Sequence, residues 1–236
     1  MIRTILLALV LAGFATTGAS VAATVKDAEA AMAGGRHADA VSILKPLAAS
    51  GDADAQTLMG GILLAGLGVP RDTVAAHDML ILAAKQGQPF AQYNLAVMYH
   101  HGDAGRVDVG QARQWYSLAA EGGVPPAMAQ WAFFLLEGRG GAPDPVEGRR
   151  WAERAANFGE PAGQYLMGVL TANGAPGTPP DLQQAYVWLL LAERSGFKPA
   201  AENIGILKHR LTAEERTKAE QSADAWRPTA NATDKR

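Results

Sequence analysis

Four glycines, Gly66, Gly102, Gly138 and Gly174, stand 36 residues apart. Other positions keep the same step. Aspartates follow at Asp72, Asp108, Asp144 and Asp181, and a bulky residue at Met79, Trp115, Trp151 and Trp188. A small residue lies three positions before each of these, at Ala76, Ala112, Gly148 and Ala185. Gly51, Gly87, Gly123, Gly159 and Gly196 close the units. A fixed period of 36 to 37 residues constrains the fold more than any other feature of the chain. Units of that length cannot each bury a core alone, so they must stack on their neighbours. The expected fold is all-α, a right-handed solenoid of antiparallel helix pairs.

Within a unit, Leu95, Met98 and Tyr99 fall at i, i+3 and i+4, one apolar stripe at helical period. Ala96 lies inside this stripe, and Gly60 and Gly168 take its place in other units. A small residue there lets a neighbouring helix come close, which offsets the ~1 kcal/mol that mid-helix glycine costs. Gly102 and its equivalents end the first helix in the left-handed region. The aspartate then caps the second helix, and Asp144-Pro145 with Glu147 has the order of a capping box. The second helix of the unit around Trp115 is expected to bury Trp115, Leu118 and Ala119. Pro89, Pro125, Pro161 and Pro199 keep helices from running on.

Four full units are expected over residues 55–199. Residues 24–54 form a degenerate first unit, with helices over Val25–Met32 and His37–Ala49. Residues 200–226 are expected to cap the far end: a helix from Ala200 to Leu207, then one opened by a box at Thr212 and Glu215. Its charged side, Glu214, Arg216, Lys218 and Glu220, suits a terminal surface. The polar tail 227–236 is expected to be disordered. Residues 1–23 have the layout of a cleavable secretory signal: Arg3, an apolar run from Ile5 to Ala15, and Ser20-Val21-Ala22-Ala23 at the cleavage point. The run is short for a span, so no stable membrane anchor is expected after removal. The sequence has no cysteine, which excludes disulfides, thiol catalysis and the lipid-modified cysteine of a lipoprotein. The expected location is periplasmic or secreted.

The run Ala91, Leu95-Ala96, Tyr99, Gly102, Asp108, Ala112, Trp115-Tyr116, Ala119-Ala120, Gly123 resembles the unit of Sel1-like repeat proteins, relatives of the tetratricopeptide repeats. The resemblance extends over about 55–205 and departs at Thr171, at Gly148 and in the loop 175–180. It implies a non-enzymatic binding scaffold in signalling or envelope assembly. Activities of the cysteine-rich branch of that family, including proposed penicillin binding, have no disulfide framework here to rest on.

Motifs for chemistry are few. No GxSxG, HExxH, P-loop or dinucleotide fingerprint occurs, so no cofactor is expected. Gly138-Arg139-Gly140-Gly141 lacks the following Lys-Ser/Thr of a phosphate loop and reads as a turn. His100-His101 with Asp103 could offer metal ligands, but neighbouring helical side chains point about 100° apart, so no metal site is expected. The formal charge of −2 gives no nucleic-acid footprint. The tryptophan series 115, 151, 188 reads as core, because Met79 holds the same position in an earlier unit.

By analogy with tetratricopeptide geometry, the first helices line the concave face. Candidate protein-binding residues are then Tyr93, Asn94, His100 and His101, followed by Gln130, Phe133 and Glu137, then Tyr165 and Asn173. Aromatic groups interspersed with amides and charges suit a partner surface. The expected partner is another envelope protein. Two other classes fit the same sequence: a peptidoglycan-directed hydrolase or binding protein, needing Glu137 paired with His100 or His101, and a secreted effector engaging host proteins.

Overall fold

In the four full units the second helix starts at an aspartate that meets exposed amides. Asp72 accepts from the Val74 and Ala75 N–H groups at 3.1 and 2.9 Å. Asp108, Asp144 and Asp181 accept from Gln111, Glu147 and Gln184 at 3.0, 3.0 and 2.9 Å. Only half of the box expected at Asp144 forms. The Glu147 carboxylate accepts from Arg150 at 3.3 Å instead of reaching back. Reciprocal boxes form at Thr212 with Glu215 and at Thr24 with Asp27.

A computed structural model describes residues 23–103, 105–175 and 177–229. The secretory-signal pattern and most of the tail lie outside them. Among the described residues the chain forms α1 (Val25–Ala33), α2 (His37–Ala49), α3 (Ala53–Ala65), α4 (Thr73–Lys85), α5 (Pro89–His101), α6 (Val109–Glu121), α7 (Pro125–Glu137), α8 (Pro145–Asn157), α9 (Pro161–Asn173), α10 (Leu182–Arg194), α11 (Ala200–Arg210) and α12 (Ala213–Ala225). None of these helices is long and apolar enough to cross a membrane.

The helices pair antiparallel and stack in chain order, giving an all-α solenoid. First helices also touch each other directly, α3 against α5 and α7 against α9. We call this layer of first helices the inner layer, and that of α4, α6, α8 and α10 the outer one. At the far end α12 packs on α10.

Small residues set the spacing of the layers, as the sequence led us to expect. A Cβ on Gly60 would come within 2.5 Å of Leu80, and one on Gly168 within 2.6 Å of Leu189. Gly148 is explained the same way, since Leu136 fills the space its Cβ would take, at 2.9 Å. Gly66, Gly102 and Gly138 cap first helices in the left-handed region. Gly174 departs from them, with φ 72° and ψ −168°, an extended mirror conformation open to glycine alone. The altered loop that follows closes through a bridge between Ala175 and Thr178.

Among the described residues the core is divided into six apolar clusters that run along the array, each shared by adjacent helices. The burial expected of the second helix in the Trp115 unit is corrected here. Tyr116 is only 1 % exposed, whereas Leu118 is 43 % exposed and Trp115 is half-buried. From Ala112 the buried face runs through Tyr116, Ala119 and Ala120, which leaves Trp115 at its edge and Leu118 beyond it. The tryptophans are joints between units. Trp115 touches the Leu80–Leu95 and Tyr116–Phe134 clusters, and Trp151 and Trp188 each bridge two others.

Buried amides tie the layers together. Gln56 donates to the Ala48 carbonyl at 3.1 Å, and Gln92 repeats this to Ala84 at 3.3 Å. Each bond is a second one to a carbonyl near the end of the preceding helix, which also accepts from the Gly51 or Gly87 N–H.

Candidate protein-binding cleft

The inner layer opens between α7 and α9 into a cleft of about 230 Å³, lined by Ala129, Gln130, Phe133, Ala162, Tyr165, Leu166 and Phe197. Its floor is alanine and its walls are aromatic. Phe133 stands on α7 with the Arg139 guanidinium 4.6 Å from its ring centroid. Tyr165 stands on α9, tilted against Phe197 at 5.1 Å, and its hydroxyl accepts from Asn203 at 3.4 Å. Both walls are thus held before any partner arrives. The Gln130 amide makes no hydrogen bond among the described residues, so its donor and acceptor remain free for one.

Three of the nine residues expected to bind, Gln130, Phe133 and Tyr165, come together here. Tyr93 and Asn94 lie one unit away on α5, both half-buried. Tyr93 packs against the cluster containing Val124 and Ala129. Burial, and then the charge of Glu160, raise its phenol above the ordinary range. Glu137 and Asn173 are exposed at the last positions of α7 and α9. Asn173 borders a depression formed by the loop to Pro180, away from the cleft.

His100 has an interior role that the sequence did not disclose. Its Nδ1 lies 3.3 Å from the Tyr116 hydroxyl, and its Nε2 lies 3.5 Å from an Arg139 Nη. Arg139 can only donate, so Nε2 accepts and Nδ1–H donates to Tyr116. The ring also stands edge-on to Phe134 at 5.2 Å and stacks with His101 at 4.9 Å. Burial, then the neighbouring His101 and Arg139, hold its pKa below the usual 6.5. The folded state therefore binds fewer protons than the unfolded one. The stability this contributes is present above pH 6.5 and is lost as pH falls through the lowered folded value. Thermal melts from pH 7.5 down to 5 should show a falling midpoint. His100→Gln should flatten part of that fall, and an unchanged slope would contradict the role.

Among the described residues, Glu137 is not paired with His100 or His101. Both nitrogens of His100 are engaged, and Glu137 makes no hydrogen bond or ion pair with either histidine. Among the described residues no group of three or more His, Cys, Asp or Glu could hold a metal ion. Gly138–Gly141 is a structural turn. Arg113 donates to the Arg139 and Ala142 carbonyls at 2.8 and 3.4 Å and lies over Trp131. A more polar hollow between Arg71, His77 and Asp103 already has its charges matched, Arg71 to Asp103 at 2.8 Å.

Phe197, Leu166, Ala129 and Ala162 were not among the residues expected to bind. Phe197 had a signal that passed unread. It follows a closing glycine, as do Asp52, Gln88, Val124 and Glu160 in the other units. That position changes character from unit to unit beside a constant glycine.

Stacked helix pairs of a constant period, with an apolar cleft between first helices, define a helical repeat protein. The Sel1 repeat model matches residues 53–88, 89–124, 125–157 and 161–197, and the chain belongs to the Sel1 repeat family. Proteins of this family are generally non-enzymatic scaffolds for protein–protein interaction. The chain is similar to a protective antigen present in uropathogenic Escherichia coli strains and displaying an SLR fold. The identity is 25 %, the TM-score 0.71, and the match covers 86 % of this chain and 46 % of that one. It thus spans about half of that protein. A Sel1 repeat protein from Oxalobacter formigenes shares the fold at TM-score 0.70 and 24 % identity, over 86 % of this chain and 84 % of that one. No curated protein matches the chain.

Proposed function

We propose that this protein is an exported, non-enzymatic scaffold that binds another envelope protein through the inner face of its solenoid. The observation that carries the reading is the α7–α9 cleft: aromatic walls held in place, an alanine floor and a free amide at the lip. Rigid aromatic surfaces of this kind supply contact area at low entropic cost. Export to the periplasm or beyond is read from Arg3, the apolar run Ile5–Ala15 and the small residues at 20–23.

The test is capture of partners from a periplasmic extract. Wild-type protein is compared with Tyr93→Ala plus Phe133→Ala, after thermal melts show both are folded. The double variant should lose most of the captured material. Equal capture by both would remove the inner face as the binding surface. Full-length protein, uncleaved and in the membrane fraction, would overturn the export reading.

A further inference from the structure

The wall of the cleft carries a cation that no acid answers. Arg139, in the turn after α7, lays its guanidinium 4.6 Å from the centroid of the Phe133 ring. Its backbone is fixed on both sides. The N–H donates to the Phe134 carbonyl at 3.0 Å, and the carbonyl accepts from Arg113 at 2.8 Å. One Nη faces His100 Nε2 at 3.5 Å. Among the described residues Arg139 makes no ion pair, not even with Glu137 close to it in sequence. A guanidinium lying over an aromatic ring keeps its N–H donors at its edge, where it holds a carboxylate in a bidentate pair.

The size of the cleft limits what enters it. Small-molecule sites typically enclose ~300–1,000 Å³. This one holds about 230 Å³, between the rings of Phe133, Tyr165 and Phe197. One large side chain fits it better than a whole metabolite, and an aromatic one meets rings on its walls. Gln130 at the lip offers both a donor and an acceptor, as the main chain of an extended segment requires. The two first helices run the same way. Arg139, past the end of α7, and Glu160, before the start of α9, therefore stand at opposite ends of the cleft. An anion is drawn to the Phe133 end and repelled from the Ala162 end.

We propose that the cleft receives an extended acidic–aromatic peptide segment, an aromatic side chain entering between Phe133 and Tyr165 and an Asp or Glu next but one to it pairing with Arg139. That spacing puts both side chains on one side of an extended chain. The proposal rests on the inner-face reading above and names the partner's chemistry. Basic segments are selected against, because Arg139 repels a like charge beside Phe133. Phe133, Tyr165 and Phe197 supply the affinity and Arg139 supplies the discrimination.

The test uses peptides capped at both ends on the full chain, followed by NMR. Gly-Glu-Gly-Phe-Gly and Gly-Phe-Gly-Glu-Gly cover both chain directions, and each has a counterpart with Lys for Glu and one with Ala for Phe. The better acidic peptide should shift the resonances of Gln130, Phe133 and Tyr165. Its lysine counterpart should bind about five-fold more weakly, the worth of an exposed ion pair. Its alanine counterpart should lose about ten-fold or more with the buried ring. Arg139→Gln, checked by thermal melt, should erase the preference for Glu over Lys, and about 0.5 M salt should narrow it in wild type. Equal binding of the acidic and lysine peptides to wild type, or shifts confined to other helices, would overturn the proposal. Partner capture separates the two readings. If it fails with Tyr93→Ala plus Phe133→Ala but survives Arg139→Gln, the inner face stands and the acidic segment falls. If it survives both, both readings fall.

Discussion

Gly163→Ala should lower stability by about 3 kcal/mol, the upper end of what overpacking costs. A Cβ at this position would lie 2.5 Å from the Ala155 Cβ and 2.7 Å from the Ala156 backbone nitrogen. Neither atom can rotate away, so α8 and α9 would have to separate. That would open the cluster of Ala152, Ala156 and Met167. In a chain of this size the midpoint of thermal unfolding should fall by roughly 6–12 °C. Gly61→Ala is the matched control. It also lies inside a first helix, but nothing comes within 4 Å of its added carbon. It should raise stability by about 0.5–1 kcal/mol through helix propensity alone. If both variants moved together, the close helix approach would be wrong.

Tyr116→Ala should cost about as much or more. Tyr116 is 1 % exposed and sits where α5, α6 and α7 meet. Its ring touches Phe134 at 5.1 Å, His100 at 6.0 Å and Tyr93 at 6.1 Å. Removing a buried aromatic ring typically costs about 3–5 kcal/mol. Tyr116→Phe keeps the ring and loses only the bond to His100, about 1 kcal/mol. Urea unfolding of both variants separates packing from hydrogen bonding. A loss of equal size in the two would place the energy in the hydroxyl and contradict the packing account.

These two sites show where sequence reading succeeds in a repeat protein and where it stops. Recurring positions announced the architecture, because the same physical demand returns in each unit. Gly60 and Gly168 recur as small residues since Leu80 and Leu189 press on them, and Asp72, Asp108, Asp144 and Asp181 recur since each second helix needs a cap. Recurrence does not say how deep a position lies. Trp115 recurs because it joins two units, yet the fully buried residue is its neighbour Tyr116.

The cleft was legible in part for a related reason. Gln130, Phe133 and Tyr165 could be found by taking variable residues on first helices. Phe197 could not be found that way, because it belongs to the turn between α10 and α11. His100 varies between units, which pointed to the surface, but its ring folds inward onto Tyr116 and Phe134. Its variability reflects local packing chemistry particular to that joint.

The central claim is that the inner layer of first helices is the binding surface. Site-specific photocrosslinking in cells tests it most directly. A photoreactive residue replaces Gln130 at the cleft lip or, on outer helices, Leu118 at 43 % or Val146 at 70 % exposure. Crosslinked adducts should form from position 130 and not from 118 or 146. Adducts from 118 or 146 with none from 130 would contradict the claim.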